Sequence, residues 1–178
     1  MGNQSIQSFI DGFNGGTRLN RFTVDGNIGS NNNGIVITDF HIKSASLPEA
    51  ILGAITVNYR GRSVSYPGDR AYKPWEIVVI DDTGANNNLY SAFHRWHEQM
   101  NSHNTNLTSN NVISPKTNFA TNWAVTQYDT NGNTAIKKFS IKNCWPIGIG
   151  PFQLDMGQDN SIGAFAVTMI YSHYTTTL

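Results

Sequence analysis

A period of two in the apolar residues runs through much of this sequence. Residues that alternate in this way point to opposite sides of an extended chain, so each run predicts a strand with one buried face. Five runs are clearest: Ile55-Val57-Tyr59, Trp75-Ile77-Val79, Trp123-Val125, Phe139-Ile141 within 137–141, and Phe165-Val167-Met169-Tyr171. Two further strands are expected at about 19–24 and 35–43.

Turn-forming residues separate these runs. Arg60-Gly61 lies between two alternating segments, 129–133 contains an Asn-Gly pair, and 145–151 is rich in Pro and Gly. Gly and Asn tolerate a positive φ angle and Pro has no N–H for a sheet, so such segments favour tight reversals. We therefore expect a hairpin over about 53–66 and turns at the other two segments. Short reversals make neighbouring strands antiparallel, so the fold is predicted to be mainly antiparallel β.

One segment has the period of an amphipathic helix instead. Four apolar residues follow one another at helical spacing: Leu89, Phe93, Trp96 and Met100. Asn86 to Asn88 precede them as candidate N-caps, and the spacing predicts one amphipathic helix over about 88–101. The polar stretches at about 26–34 and 101–118 lack periodicity and are expected to be loops.

Length and composition limit the class of protein. The 178 residues suit one domain, over 1–178, with a substantial core. Lys and Arg number 12 and Asp and Glu number 12, so no net charge attracts the chain to nucleic acid or to a membrane surface. Only 13% of the residues are charged, whereas Asn numbers 22 and Gly 16. This balance is typical of a loop-rich β protein that packs against copies of itself.

The single cysteine and the apolar segments indicate the compartment. Cys144 has no partner for a disulfide within the chain, so it predicts a small core residue in a reducing environment. The start of the chain, Met1 to Ser5, lacks the features of a secretory signal. No segment holds the roughly 18 apolar residues of a membrane helix. We expect a protein made in the cytoplasm that does not span a membrane.

Residues that commonly carry chemistry do not form a recognisable motif. His94 and His97 could share a helix face, with His103 beyond, but no third-ligand spacing accompanies them, so surface or subunit-contact roles are expected. Asp81-Asp82 and Asp39-Phe40-His41 could supply an acid–base pair, yet adjacent carboxylates at a strand end are typical of a turn. We expect no catalytic site, no cofactor and no metal.

The strongest basic cluster leaves two interpretations open. Arg60 and Arg62 are followed by Arg70 and Lys73, with three tyrosines interleaved at positions 59, 66 and 72. Basic and aromatic residues together are typical of a nucleic-acid surface. The alternative is a hairpin tip or a contact between subunits, because so few arginines make a weak electrostatic footprint.

Three ordered stretches resemble the tail tube protein family of contractile-tailed bacteriophages. The first stretch contains Val57-Asn58-Tyr59-Arg60-Gly61-Arg62, Pro67-Gly68-Asp69-Arg70-Ala71-Tyr72 and Trp75 to Asp82. The second contains Ala92-Phe93-His94-Arg95-Trp96. The third contains Val125 to Asp129, Asn143-Cys144-Trp145-Pro146, Leu154-Asp155 and Phe165 to Met169. An opening segment, Arg18 to Val24, precedes them in the family's order. Asn-rich inserts near 31–33 and 101–111 depart from the family pattern.

The resemblance implies a β-sandwich or barrel whose copies form hexameric rings that stack into a hollow tube. Partners would be further copies, the tail sheath, baseplate and tail terminator proteins, and genomic DNA that passes without specific binding. The protein would reside in the virion after assembly in the host cytoplasm. The predicted hairpin would protrude as an arm to a neighbouring subunit, through six contact residues: Ile55, Val57, Tyr59, Arg60, Arg62 and Val64.

Other functions remain open at this point. A type VI secretion tube protein shares the ring architecture, and a receptor-binding β-sandwich of a phage fibre would explain the Asn-rich composition. A small β-fold enzyme would need a convergent polar site, which the sequence does not supply.

Overall fold

A computed structural model describes residues 6–13, 15–29, 35–82, 88–108 and 119–177. These residues form ten strands, two α-helices and one short 3-10 turn at Asp39–His41. In chain order the helices and strands are α1 (Ile6–Gly12), β1 (Phe22–Ile28), β2 (Ile35–Ile37), β3 (Ile42–Ala45), β4 (Ala50–Tyr59), β5 (Arg62–Tyr72), β6 (Trp75–Ile80), α2 (Leu89–Met100), β7 (Thr121–Tyr128), β8 (Ala135–Ile149), β9 (Ala164–Ile170) and β10 (His173–Thr177).

Eight of the strands form one folded sheet, and β4 with β5 forms a separate two-stranded sheet. The order in the large sheet is β2-β1-β7-β8-β9-β6-β3, with β10 also beside β8, and every described pairing is antiparallel. The first part of β8 pairs with β7 and β10, and its last part, from Trp145, pairs with β9. Because β8 belongs to both parts, the sheet folds over on itself as a sandwich. The predicted mainly antiparallel β fold is confirmed.

The core lies between the two layers. Trp75 of β6 meets Trp123 of β7 edge-on, with ring centroids 5.8 Å apart. Alternation along β6 and β9 contributes to the same core, since Ile77, Val79 and Val167 are fully buried, as the period of two predicts. Burial of this apolar surface is the main force that holds the body together.

Helix α2 covers one side of this body, where the sequence predicts a helix. The side chain of Asn88 caps it by accepting a hydrogen bond from the N–H of Ser91 at 2.8 Å. Phe93 and Trp96 are buried, and the indole N–H of Trp96 donates to the carbonyl of Phe119 at 2.9 Å. The apolar face of the helix is therefore fixed to the sheet by both packing and a hydrogen bond.

Three predictions about the elements are wrong. The segment 35–43 is not one strand, because the turn Asp39–His41 divides it into β2 and β3. The segment 145–151 is not a turn, because β8 continues to Ile149. Among the described strands, this end of β8 pairs with β9 alone, so it is an edge strand there. An edge strand tolerates Pro146, because the missing N–H is not needed for pairing on the free side. The predicted loop at 26–34 begins later, since β1 extends to Ile28, and 30–34 lies outside the described residues.

A short helix at the start of the chain was not predicted. Helix α1 has seven residues, Ile6–Gly12, and none of them is buried. Its apolar residues do follow a helical spacing, with Phe9 and Phe13 stacked at 5.1 Å. The segment is too short for periodicity to identify a helix. The described residues therefore contain two α-helices, whereas the sequence predicts one.

Candidate assembly surface

The hairpin formed by β4, β5 and their turn is exposed along most of its length, and we call it the arm. Its strands close at the pair Tyr59 and Arg62, with Arg60 at φ 48° and Gly61 at φ 78° between them. Two positive φ angles define the tight reversal that matches the twist of a hairpin. Gly61 adopts this geometry without strain, so Arg60-Gly61 sets the register of the arm.

The arm has one apolar face and one polar face. Directly paired residues lie on the same face, and Ile55 pairs with Tyr66 and Val57 with Val64. The intervening pairs place Thr56 with Ser65 and Asn58 with Ser63 on the opposite face. The large side chains of the apolar face remain between 48% and 66% exposed: Ile55, Val57, Tyr59, Val64 and Tyr66. Five large apolar side chains that lie side by side and about half exposed form a contiguous patch, which is typical of an interaction site.

The six residues predicted to contact a neighbouring subunit lie together on this arm. Ile55, Val57, Tyr59, Val64 and Arg62 share the apolar face by their pairing. The guanidinium of Arg60 in the turn lies 5.3 Å from the centre of the Tyr59 ring, so it caps the end of that face. That these residues touch another subunit remains a prediction.

The arm is attached firmly at its base. Tyr72 packs against Tyr171 and Tyr174, with ring centroids 5.6 and 5.5 Å away. The ammonium of Lys73 lies 2.6 Å from the carboxylate of Glu49, and the hydroxyl of Tyr171 donates to the carbonyl of Glu49 at 3.1 Å. Burial raises the pKa of Tyr171 to about 12, so this hydroxyl stays protonated and keeps donating. The exposed apolar face is thus held on a fixed support.

Two glycines mark where the arm begins to protrude. A Cβ on Gly53 would lie 3.2 Å from the carbonyl oxygen of Asp69, and one on Gly68 would lie 3.2 Å from the backbone of Gly53. The register shifts here, between Leu52 and Ala54, as in a β-bulge. Strands β4 and β5 together span Ala50 to Tyr72, so the hairpin is longer than the predicted 53–66. The sequence did not indicate the paired base of the hairpin, because the bulge interrupts the alternation of apolar residues.

The structure separates the residues of the basic cluster. Arg62 and Arg70 stand at opposite ends of β5, about 26 Å apart at the usual rise of a strand. Lys73 is paired with Glu49, and Tyr72 packs at the base of the arm. Only Arg60 and Arg62 stay together, at the tip, so the cluster does not form a continuous basic surface.

The candidate metal and acid–base residues have local structural roles. The Nε2 of His103 lies 3.3 Å from the carboxylate of Glu98. The pKa of His97 is lowered mainly by partial burial and, to a smaller extent, by repulsion from His103 and His94. Within the described ranges, no group of three or more His, Cys, Asp or Glu side chains is placed to hold a metal ion. Burial raises the pKa of the Cys144 thiol to about 12, as expected of a core residue.

The aspartates near strand ends support turns and the helix. A carboxylate oxygen of Asp81 accepts the N–H of Tyr90 at 3.1 Å, in the first turn of α2. His41 accepts the N–H of Thr38 at 3.3 Å through Nδ1, and its Nε2 lies 3.8 Å from the carboxylate of Asp82. The suggested acid–base pair therefore does meet, but His41 is buried and stabilises the 3-10 turn.

The described residues thus combine a β-sandwich body with an exposed apolar arm. The described helices also include none long and apolar enough to cross a bilayer. The chain belongs to the phage tail tube protein family, whose sequence model matches residues 13–177. The resemblance seen in its motifs is confirmed, and the chain is a structural subunit of a tail tube.

Individual relatives agree with this assignment. The tail tube protein gp19 of Enterobacteria phage T4 is 27% identical over 135 residues, which cover 76% of this chain and 79% of that protein. The tail tube protein of Serratia phage KSP90 is 27% identical over 128 residues, 72% of this chain and 68% of that protein.

Solved structures show the same fold. The chain resembles a component of the anti-feeding prophage tube-terminating cap with a TM-score of 0.60 at 15% identity, over 93% of each chain. It also resembles a component of the sheath–tube complex of an extracellular contractile injection system, the PVC, with a TM-score of 0.60 at 12% identity, over 98% of this chain and 99% of that one. At such low identity the likeness concerns the fold alone.

Proposed function

We propose that copies of this chain form hexameric rings that stack into the hollow tail tube of a contractile-tailed phage, through which the genome passes into the host. The observation that carries this proposal is the arm, which holds an apolar face out from a folded body. Support for the partners comes from the similar structures, whose descriptions include a sheath–tube complex and a tube-terminating cap. We therefore assign sheath, baseplate and terminator proteins as neighbours of the tube.

The physical case rests on where the apolar surface is buried. A two-stranded ribbon is at best marginally stable in water on its own. Fully burying an exposed Val or Ile side chain contributes about 1.5–3 kcal/mol, so docking the half-exposed Ile55, Val57 and Val64 against another chain supplies a few kcal/mol per contact. Closed rings repeat this contact and cover strand edges, whereas stacking by unlike surfaces continues along an axis.

The rest of the chain suits a passive conduit. Its 12 basic and 12 acidic residues balance, so the lumen of the assembled tube would be neutral to acidic and would not retain phosphates. We also propose that the subunit has no catalytic activity and needs neither cofactor nor metal. Elemental analysis of the purified protein should find no stoichiometric metal, and a metal bound through His94 and His97 would contradict this. The tube would assemble in the host cytoplasm and reside in the virion.

Val57→Asp tests the role of the arm. The substitution places a carboxylate in the centre of the apolar face, and an unpaired charge buried in an interface is strongly destabilising. We expect loss of rings and tubes in electron micrographs, and a monomer in sedimentation velocity. Circular dichroism should stay unchanged, because the arm contributes no residue to the buried core of the body.

Thr56→Asp is the matched control. It adds the same charge at the adjacent position, but on the polar face, where Thr56 pairs with Ser65. This variant should assemble like the parent. Tubes formed normally by Val57→Asp would show that the arm is not the joint, and loss of β signal would show that the arm belongs to the monomer's core. A parent protein that shows no six-fold rings or tubes at any concentration would refute the proposed function.

A further inference from the structure

A second apolar surface lies on the body, in the loop between β8 and β9, residues 150–163. Three large side chains of this β8–β9 loop are almost fully exposed: Leu154 at 87%, Met156 at 104% and Ile162 at 78%. Long connections without regular structure in a compact domain are usually functional. Exposure of several large apolar residues in one loop marks an interaction site.

The β8–β9 loop is anchored to the body at Phe152, near its start. The ring of Phe152 lies 5.5 Å from that of Tyr90 and 6.4 Å from that of Phe165, measured between centroids. Gly163 makes this possible, because a Cβ there would lie 2.1 Å from the Phe152 ring. The loop borders a cleft of about 690 Å³, whose lining includes Phe152, Leu154 and Ile162. The surface is therefore available before any partner binds.

The charged residues of the β8–β9 loop are opposite in sign to those on the arm tip. The loop carries Asp155 and Asp159 and no basic residue, and Asp155 lines the cleft together with Lys43. The arm carries Arg60 and Arg62 at its tip and has no acidic residue between positions 54 and 67. One surface is apolar with acidic groups, and the other is apolar with basic groups. Such complementarity selects a partner and fixes its register.

We propose that the cleft beside the β8–β9 loop receives the arm of a second copy of this chain. The apolar face of the arm covers Leu154, Met156 and Ile162, while Arg60 and Arg62 pair with Asp155 and Asp159. The occupant is another copy's arm, because the arm joins an exposed apolar face to two basic residues at its tip, which matches an exposed apolar loop with two acidic residues. The contact joins two different surfaces, the arm of one copy and the cleft of the next. In an open assembly, the copy at one end therefore keeps a free arm and the copy at the other end keeps a free cleft. This inference rests on the proposed function and names the surface that completes it.

Charge reversal on each side tests the contact. In the first variant, Arg60→Asp and Arg62→Glu reverse the charge of the arm tip. In the second, the cleft variant, Asp155→Lys and Asp159→Lys reverse the charge of the β8–β9 loop beside the cleft. Each variant alone should raise the protein concentration needed for assembly by about tenfold or more, because like charges then meet at the interface. The chain with all four substitutions should assemble close to the parent's concentration. Arg70→Glu is the matched control, since it reverses an exposed charge on β5 away from the tip and should have little effect.

Restoration in the fourfold variant would support the proposed pairing, because a defect in folding would not be repaired by a second reversal. Normal assembly of the cleft variant, or failure of the fourfold variant to recover, would overturn the assignment of the cleft. Both of those results leave the tail tube function intact as long as the parent forms tubes. Absence of tubes from the parent would count against the proposed function itself.

Cross-linking tests the same contact without relying on tubes. Copies with Tyr59→Cys, on the apolar face at the arm tip, are mixed with copies that carry Gln158→Cys in the cleft, and a short bismaleimide is added. The native Cys144 is buried and should not react. We expect a cross-linked dimer in the mixture, and much less of it when Asn133→Cys, in the exposed turn between β7 and β8, replaces the cleft cysteine. Equal yields from the two mixtures would contradict the proposal.

Discussion

Single residues control how tightly the two layers of the sandwich close. Gly26 on β1 lies under Trp123, whose indole N–H donates to the hydroxyl of Thr121 at 2.9 Å. A Cβ at position 26 would lie 2.2 Å from the indole ring. Trp123 cannot withdraw freely, because its other side meets Trp75. A glycine is therefore required there by packing, not by backbone conformation.

Gly26→Ala should destabilise the body by about 1–3 kcal/mol, the usual cost of overfilling a packed core. Thermal unfolding followed by circular dichroism measures the effect. Gly12→Ala in helix α1 is the control, since a Cβ there meets nothing within 4 Å. Equal melting temperatures for Gly26→Ala and the parent would show that the indole can move aside.

Cys144 should be chemically silent in the folded protein. Its thiol is fully buried, and its pKa of about 12 leaves almost no reactive thiolate at neutral or mildly alkaline pH. Ellman's reagent should detect no thiol in the native protein and one per chain after denaturation. Rapid reaction of the native protein would show that the region around β8 opens frequently.

At the scale of elements, helix α2 depends on how its first turn is satisfied. Asn88 and Asp81 each accept a backbone N–H there, from Ser91 and Tyr90 respectively. A helix start leaves several N–H groups without partners, so these two acceptors stabilise the turn that places Phe93 and Trp96 against the sheet.

Asn88→Ala should lower the free energy of unfolding by about 1 kcal/mol, whereas Asn88→Asp should stay near the parent because it keeps the acceptor. Chemical denaturation of both variants measures the difference. An equal loss in the two variants would show that a feature other than the cap, such as the amide donor of Asn88, is responsible.

At the scale of the whole molecule, balanced charge is the property on which the proposed transit of DNA depends. The basic residues on and beside the arm do not gather into one surface, since the tip arginines stand far from Arg70 and Lys73 is paired with Glu49. We therefore expect the free protein to bind duplex DNA weakly, with a Kd above about 1 µM at physiological salt.

Fluorescence anisotropy with a labelled duplex measures this affinity over a range of salt concentrations. A mutant with several added lysines on the body provides the positive control. Sub-micromolar binding by the parent, falling steeply as salt rises, would reveal a phosphate-binding surface that a passive channel should lack.

Local patterns in the sequence determined the class of the fold and most of its elements. The alternation in Phe165-Val167-Met169 and the helical spacing of Leu89, Phe93 and Trp96 report which side of each element is apolar, and both are readable without the structure. The motifs shared with tail tube proteins extended this to function. The Arg60-Gly61 reversal likewise located the tip of the arm, because its backbone geometry is a property of adjacent residues.

Only the tertiary structure decided what each apolar face meets. Ile55-Val57-Tyr59 alternates as regularly as Phe165-Val167-Met169, yet the first run is exposed on the arm and the second lies in the core. The same limit applies to Trp145–Ile149, which continues a strand because β9 is there to pair with it. The exposed β8–β9 loop lacked any periodic pattern and was found only in three dimensions. Burial and pairing depend on segments distant in sequence, so a local pattern shows that a face is apolar but not which surface covers it.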